Sequence, residues 1–347
     1  MIGVYLSMYL KYLAAVGIIY TIKELKTTEQ QRIKRTLRKF ISNRCIVNDK
    51  TSLKAYVEDI ESEKWGFKTV IDISNVISYE EFEKHQDYIK QLFRAKEITM
   101  SNQEGKAIVE VITKSINDLE YKPLELLPTE LLLGYDYKGN TIIVDMLKTP
   151  HIGVQGASNS GKSKGIELGL KNLKGADIVL LNVFQKDFTS IKGRRINGNE
   201  NILNYLQNII DKPYIRSRPL YLVLDELNVL GKDKAINKAI MDVLSQARHF
   251  NIYLIALGQS LLKENCPYKQ LFNVRVTFRA IDRSSISAFL GCSIEGTNLL
   301  QREFICYSDN IYRGKTYLAN LNKYKPTVAL KMRRSELKRL PLGYKRF

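Results

Sequence analysis

Residues 156–163 read GASNSGKS and satisfy the pattern G-x-x-x-x-G-K-S. Gly156 and Gly161 allow the backbone to wrap close to a phosphate. The loop residues Ala157, Ser158, Asn159 and Ser160 would then line the nucleotide, with backbone N–H groups and the start of the next helix pointing inward. Lys162 would reach the β/γ-phosphates, and the Ser163 hydroxyl would bind Mg²⁺. A glycine-rich turn can arise by chance, but the context argues otherwise. Residues 152–155 are strand-like and residues 164–173 helix-like, the strand–loop–helix order that a phosphate cradle needs. ATP and Mg²⁺ are the expected ligands.

A second element lies at residues 220–228, LYLVLDELN. Its continuous apolar run is what a strand covered on both faces of a parallel sheet requires. Asp225 and Glu226 follow at its C-terminal end, where ligands bind in open α/β sheets. Asp225 would hold the Mg²⁺ through water, and Glu226 would orient and deprotonate the attacking water. Alone, the pair could be an ordinary strand end; with the loop upstream it points to hydrolysis. A third strand, NIYLIAL at 251–257, ends in Gly258-Gln259-Ser260. The Gln259 amide either contacts the γ-phosphate or attacking water, or merely caps a turn. A fourth strand, VRVTFRA at 274–280, carries Arg275 and Arg279 on one face. Either is a candidate arginine finger for a neighbouring subunit or a surface cation, and Arg248 is a further candidate.

These strands must converge on one sheet edge, so the expected body is an α/β, RecA-like P-loop motor with a mostly parallel sheet over residues 123–320. Upstream, a strand at 67–73, helical spacing at 78–93 and two strands at 97–100 and 107–112 around a turn at 102–105 form a small α/β domain over residues 51–122. Residues 23–50 read as a basic linker or helix and 321–347 as a basic tail. Residues 1–22 are apolar apart from Ser7, Lys11 and Thr21, long enough for a helix of ~20 residues across a bilayer. Lys11 near the middle is the objection. Two readings stand: a transmembrane anchor whose basic flank lies in the cytoplasm, or a helix buried against the rest of the protein.

The 54 Lys and Arg against 36 Asp and Glu give +18 over 347 residues, which favours nucleic acid or the inner face of a membrane as partner, or a solubilising surface. Cys45, Cys266, Cys292 and Cys306 lie far apart, and His85, His151 and His249 offer no zinc spacing. Metal-site and redox functions built on Cys and His are therefore not expected, and the cysteines read as reduced thiols of a cytosolic body.

Several motifs in order resemble a known family. Gly134-Tyr135-Asp136, Lys138-Gly139-Asn140, Asp145-Met146-Leu147 and Pro150-His151 before the loop resemble the opening of the FtsK/SpoIIIE motor, G-x-D…G…x-D-L…P-H-L-L-V-x-G-x-T-G-S-G-K-S. Asp225-Glu226-Leu227 matches its D-E-L. Residues 247–252 with 256–259 resemble its A-R-A-x-G-I…A-T-Q, residues 272–279 its N-x-P-x-R-I-x-F-R, and Leu290-Gly291 its later turn. The family's T-G-S is Ser158-Asn159-Ser160 here, and only Gln259 of A-T-Q carries over. Its D-S-R is replaced by Ser285-Ile286-Ser287, so no arginine role transfers there, and no winged-helix module follows.

The resemblance implies a hexameric ring that drives double-stranded DNA through a basic central channel by ATP hydrolysis. In size the chain is similar to compact members carried by plasmids and conjugative elements. These act as coupling proteins, anchored at the inner face of the cell membrane and partnered by relaxase or transfer-apparatus proteins. A viral genome-packaging ATPase of the HerA–FtsK group is the first alternative. A nucleotide-switched replication or copy-control protein is the second, and Glu226 beside Asp225 speaks against it.

Overall fold

The computed structural model describes residues 28–319, apart from 45, 49, 265, 283, 295 and 296, together with the backbone of Tyr344–Arg346. The expected membrane segment at 1–22 and most of the basic tail lie outside the described residues. Among the described residues no helix is long and apolar enough to cross a membrane. The chain divides into two units, Met1–Ser115 and Ile116–Phe347.

In the first unit, helix α1 (Glu29–Asn43) starts on a capping box: Thr28 Oγ1 accepts from the Gln31 N–H, and Gln31 Oε1 accepts from the Thr28 N–H, both at 3.3 Å. Ile33, Leu37, Phe40 and Ile41 recur at helical spacing and bury one face, while Arg35, Arg38 and Lys39 stay exposed. The remaining elements are β1 (Tyr56–Glu63), β2 (Gly66–Asp72), α2 (Tyr79–Glu83), α3 (Gln86–Leu92), β3 (Glu97–Gln103) and β4 (Lys106–Ile112). The strands form an antiparallel sheet in the order β1-β2-β4-β3. Two features differ from the sequence expectation. The single helix expected at 78–93 is two short helices, because the chain bends at His85 (ψ 2°) and sets its ring edge-on to Phe40 and Phe82. Strand β1 was not expected, since only Val57 and Ile60 of its eight residues are buried.

The second unit holds an eleven-stranded sheet. Its elements are β5 (Glu130–Tyr135), β6 (Thr141–Asp145), β7 (His151–Gln155), α4 (Lys162–Asn172), β8 (Asp177–Leu181), β9 (Arg194–Ile196), α5 (Asn199–Asp211), β10 (Leu220–Leu224), α6 (Leu227–Leu230), α7 (Lys234–Gln246), β11 (Ile252–Gly258), β12 (Val274–Phe278), α8 (Ser284–Leu290), β13 (Glu303–Tyr307), β14 (Ile311–Lys315) and β15 (Tyr344–Arg346). The order is β15-β6-β5-β14-β13-β12-β7-β11-β10-β8-β9. From β12 to β9 every neighbouring pair is parallel. The strands from β12 to β6 extend the sheet in antiparallel fashion, and β15 pairs parallel to β6.

Period-two alternation explains why the central strands are apolar throughout. Leu220, Leu222 and Leu224 of β10 face a core with Leu206 of α5, Ile240 of α7 and Phe289 of α8. Tyr221 and Val223 face a second core with Ile166 and Leu170 of α4. In register, Leu224 of β10 stands beside Ala256 of β11, and Gly258 of β11 beside Gln155 of β7. The C-terminal ends of three strands therefore meet along one edge, which is where the sheet must present its chemistry.

His151, at the start of β7, is 2% exposed and accepts the Leu254 N–H at Nδ1 (3.2 Å). Burial lowers its pKa from 6.5 to about 4. A histidine held neutral in the folded state leaves stability intact above its unfolded pKa. That stability is lost as pH falls from about 6.5 through about 4, because the unfolded chain takes up the proton first. The difference corresponds to about 3 kcal/mol. His151→Asn, whose Oδ1 can replace Nδ1 as acceptor, is expected to lose less stability than the native chain between pH 6.5 and 4 in denaturant titrations. An equal loss in both would show that His151 is not the acid-labile group.

Candidate active site

The loop at residues 156–163 leaves β7 and opens α4, as the motif requires. Its first two amides are tied to the ends of the neighbouring strands: the Gly156 N–H donates to the Gly258 carbonyl (3.2 Å) and the Ala157 N–H to the Arg279 carbonyl (2.8 Å). A Cβ at Gly156 would meet Phe278 Cβ and Ser160 Oγ at 2.8 Å, so only glycine lets the loop lie this close to β12. Gly161 has φ +104° and caps α4, a conformation costly for other residues. Ser158 and Asn159 are exposed at the tip, Ser163 is half-buried, and Ser160 is fully buried.

Lys162 is 7% exposed and makes no ion pair among the described residues. Ser160 Oγ is buried and has no hydrogen-bond partner among them. The first-turn N–H groups of α4 have no acceptor inside the helix. A buried ammonium, an orphaned hydroxyl and unmatched donors at a helix start suit a polyphosphate chain. The residues therefore fit ATP.

Asp225 and Glu226 follow β10 on the same edge. Asp225 is 3% exposed; its N–H donates to the Leu181 carbonyl (3.0 Å), and its Oδ1 accepts the Glu226 N–H (3.0 Å). Burial raises its pKa to about 6, with the negative charges of Glu226 and Asp187 adding to the rise. The Glu226 N–H and the Lys162 ammonium pull the other way. Burial makes an uncompensated carboxylate charge costly, so Asp225 is suited to a cation close by. With Ser163, Asp225 supplies the oxygen donors that a Mg²⁺ prefers, and a bound ion would neutralise phosphate charge there. Glu226 is half-buried with φ 53° and ψ 46°, left-handed for a residue with a Cβ. Such a conformation costs about 1–3 kcal/mol and persists where the surroundings impose it.

No family model and no curated protein matches the sequence. Among solved structures, the monomer form of the pCW3 conjugation coupling protein TcpA with ATPγS is similar at a TM-score of 0.55 and 16% identity, over 82% of this chain and 94% of that one. EssC (ATPases 2 and 3) from Geobacillus thermodenitrificans is similar at a TM-score of 0.51 and 10% identity, over 59% of this chain and 47% of that one. The chain shares its fold with these two structures, and the G-x-x-x-x-G-K-S loop lies within the shared fold. At these identities the likeness concerns the fold, and each residue's role rests on its own geometry.

Gln259 is exposed just past β11, with its N–H donating to Asn228 Oδ1 (3.3 Å). It stands next to Gly258, whose carbonyl holds the first amide of the loop. The two arginines differ. Arg279 is exposed immediately after β12, and its carbonyl holds Ala157. Arg275 is half-buried; its Nη1 donates to the Phe289 carbonyl (3.3 Å), and its guanidinium lies over the Tyr307 ring at 5.0 Å. The reading that groups Arg248 with them near the nucleotide edge needs correction. Arg248 lies in the turn at 247–250 that leads into the start of β11, so it belongs to the opposite end of the sheet.

Four residues that no motif singled out hold this site together. Gln155 is wholly buried: its Nε2 donates to Thr277 Oγ1 (3.2 Å) and the Ser285 carbonyl (3.1 Å), and its Oε1 accepts the Leu261 N–H (3.2 Å). The signal for it was a lone amide on an otherwise apolar strand. Asn182, at φ 56°, donates from Nδ2 to the Asp225 carbonyl (3.1 Å), and Asn228 joins the turn after β10 to that after β11. Arg302, far along the chain, donates its N–H to the Ser160 carbonyl (2.8 Å).

Proposed function

We propose that this chain is an ATP-hydrolysing motor that moves double-stranded DNA during conjugative transfer, working as a ring of identical subunits. The observation that carries the ATPase reading is the buried Lys162 ammonium, without an ion pair among the described residues, on the same sheet edge as Asp225 and Glu226. A site for nucleotide alone would have no need of a strained second carboxylate at that edge. The net charge of +18 supports a polyanionic partner. The likeness in fold to a protein described as a conjugation coupling protein supports the setting. In this reading residues 1–22 anchor the motor at the inner face of the cell membrane, and relaxase or transfer-apparatus proteins are its partners.

The test is ATP turnover against added DNA. Duplex DNA of any sequence is expected to raise turnover, and Lys162→Ala to abolish both nucleotide binding and turnover. The apparent DNA affinity should fall steeply with salt. A motor that touches 6–10 phosphates loses roughly 10³–10⁵ in affinity between 50 and 200 mM salt. Absence of stimulation, or stimulation confined to one sequence at moderate salt, would overturn the translocase reading and leave the ATPase reading standing.

A further inference from the structure

Residues 116–124 lead into β5 without forming a strand, yet their backbone is firmly held. The Tyr135 hydroxyl donates to the Asn117 carbonyl (2.8 Å) and accepts the Leu119 N–H (3.0 Å). The Leu318 N–H donates to the Leu119 carbonyl (2.9 Å), and the Tyr121 N–H to the Leu318 carbonyl (2.8 Å). Lys315 Nζ donates to the Ile116 carbonyl (3.2 Å) and pairs with Asp118 (2.6 Å). Further on, Asn172 Oδ1 accepts from the Tyr121 hydroxyl and from the Leu124 N–H. Asn172 is the last residue of α4. The lead-in segment therefore grips the far end of the helix that the phosphate loop opens.

Its link to the near end runs through Arg302. The guanidinium pairs with Asp118 (2.6 Å) and donates to the Thr316 carbonyl (3.4 Å), while the Arg302 carbonyl accepts the Thr316 N–H (2.9 Å). The Arg302 backbone presses on the loop so closely that its Cα would stand 3.1 Å from a Cβ at Gly161. Arg302 takes φ 71°, left-handed and unfavourable for an arginine, to make this contact. Gln301 Nε2 donates to the Asn159 carbonyl (3.2 Å), and the Arg302 N–H to the Ser160 carbonyl (2.8 Å). In a planar trans peptide the carbonyl and the following N–H point in opposite directions. Holding the Ser160 carbonyl outward therefore aims the Gly161 N–H away from Arg302, toward the anion side of the loop.

We infer that Arg302 is a positioning residue that couples nucleotide in the 156–163 loop to the lead-in segment through Asp118. The proposal rests on the ATP reading of that loop and adds a route of communication. Such coupling is reciprocal: an ordered segment raises nucleotide affinity, and bound nucleotide holds the segment.

The experiment uses the full chain with Mg²⁺ and ATPγS, measuring nucleotide affinity by calorimetry and backbone hydrogen exchange at residues 116–121 with and without nucleotide. In the native chain nucleotide should slow exchange there. Arg302→Ala should weaken affinity roughly five- to tenfold and abolish the nucleotide-dependent protection. Arg302→Lys, which keeps a cation for Asp118, should restore part of both. Asp118→Asn touches no loop residue, yet it should weaken affinity and lose the protection as well; it carries the test if Arg302→Ala does not fold. If the native chain binds, Lys162→Ala does not, and Asp118→Asn matches the native chain in both readouts, the coupling falls and the ATP site stands. If the native chain does not bind ATPγS, both fall together.

Discussion

A Glu226→Gln chain is expected to bind ATP as tightly as the native chain and to turn it over roughly 10²–10⁴-fold more slowly, the usual contribution of a positioned general base. The substitution keeps the size of the side chain and removes only its ability to take a proton. The turn is set by the backbone, through the Asp225 N–H on the Leu181 carbonyl and the Glu226 N–H on Asp225 Oδ1, and neither bond uses the Glu226 side chain. Single-turnover measurements with saturating ATP separate binding from chemistry. Turnover at the native rate would remove Glu226 from the mechanism and leave Asp225 and Lys162 as a binding site only.

Arg279→Ala is expected to be nearly inactive alone and to regain turnover when mixed with Glu226→Gln subunits. In phosphoryl transfer, charge spreads over the γ-phosphate oxygens, and an arginine supplied by a neighbour is worth ~10³–10⁵ in rate. No arginine occurs within the loop at 156–163. Arg302 is engaged with Asp118 and Thr316, and Arg275 with Phe289 and Tyr307, so both are committed within their own subunit. Arg279 is exposed beside the loop, on the edge that a neighbour in a ring could share. In the proposed ring, mixing would leave some boundaries where an intact Glu226 meets an intact Arg279. Arg275→Ala is expected instead to lower the unfolding temperature with little selective effect on turnover. Full activity of Arg279→Ala alone would place the missing cation elsewhere.

What the sequence disclosed follows from how local each signal is. The phosphate loop, the strand before it and Asp225-Glu226 are short-range patterns, and their strand–loop–helix setting is found where the spacing puts it. Four parallel strands, β7, β10, β11 and β12, were legible because burial on both faces demands unbroken apolar runs, as in LYLVL; β8 and the three-residue β9 were not read. The antiparallel strand β14 escaped notice because it carries mixed residues such as Arg313 and Lys315, and β13 because its apolar centre, Phe304-Ile305-Cys306, is only three residues long. Arg302 escaped for a different reason. Its partners at Ser160 and Asp118 lie far away in sequence, and one of them is a backbone carbonyl, which has no identity to read. Gln155, Asn182 and Asn228 share that difficulty, since each matters through a main-chain group on another element or turn.

The left-handed backbone at Glu226 has a bearing on how this protein can be improved. A glycine or asparagine there would relax the turn, so a screen that rewards thermal resistance alone would be drawn to discard the carboxylate. Durability and turnover therefore compete at this single position. Any effort to harden the protein by directed evolution would have to hold residue 226 fixed and seek its gains elsewhere.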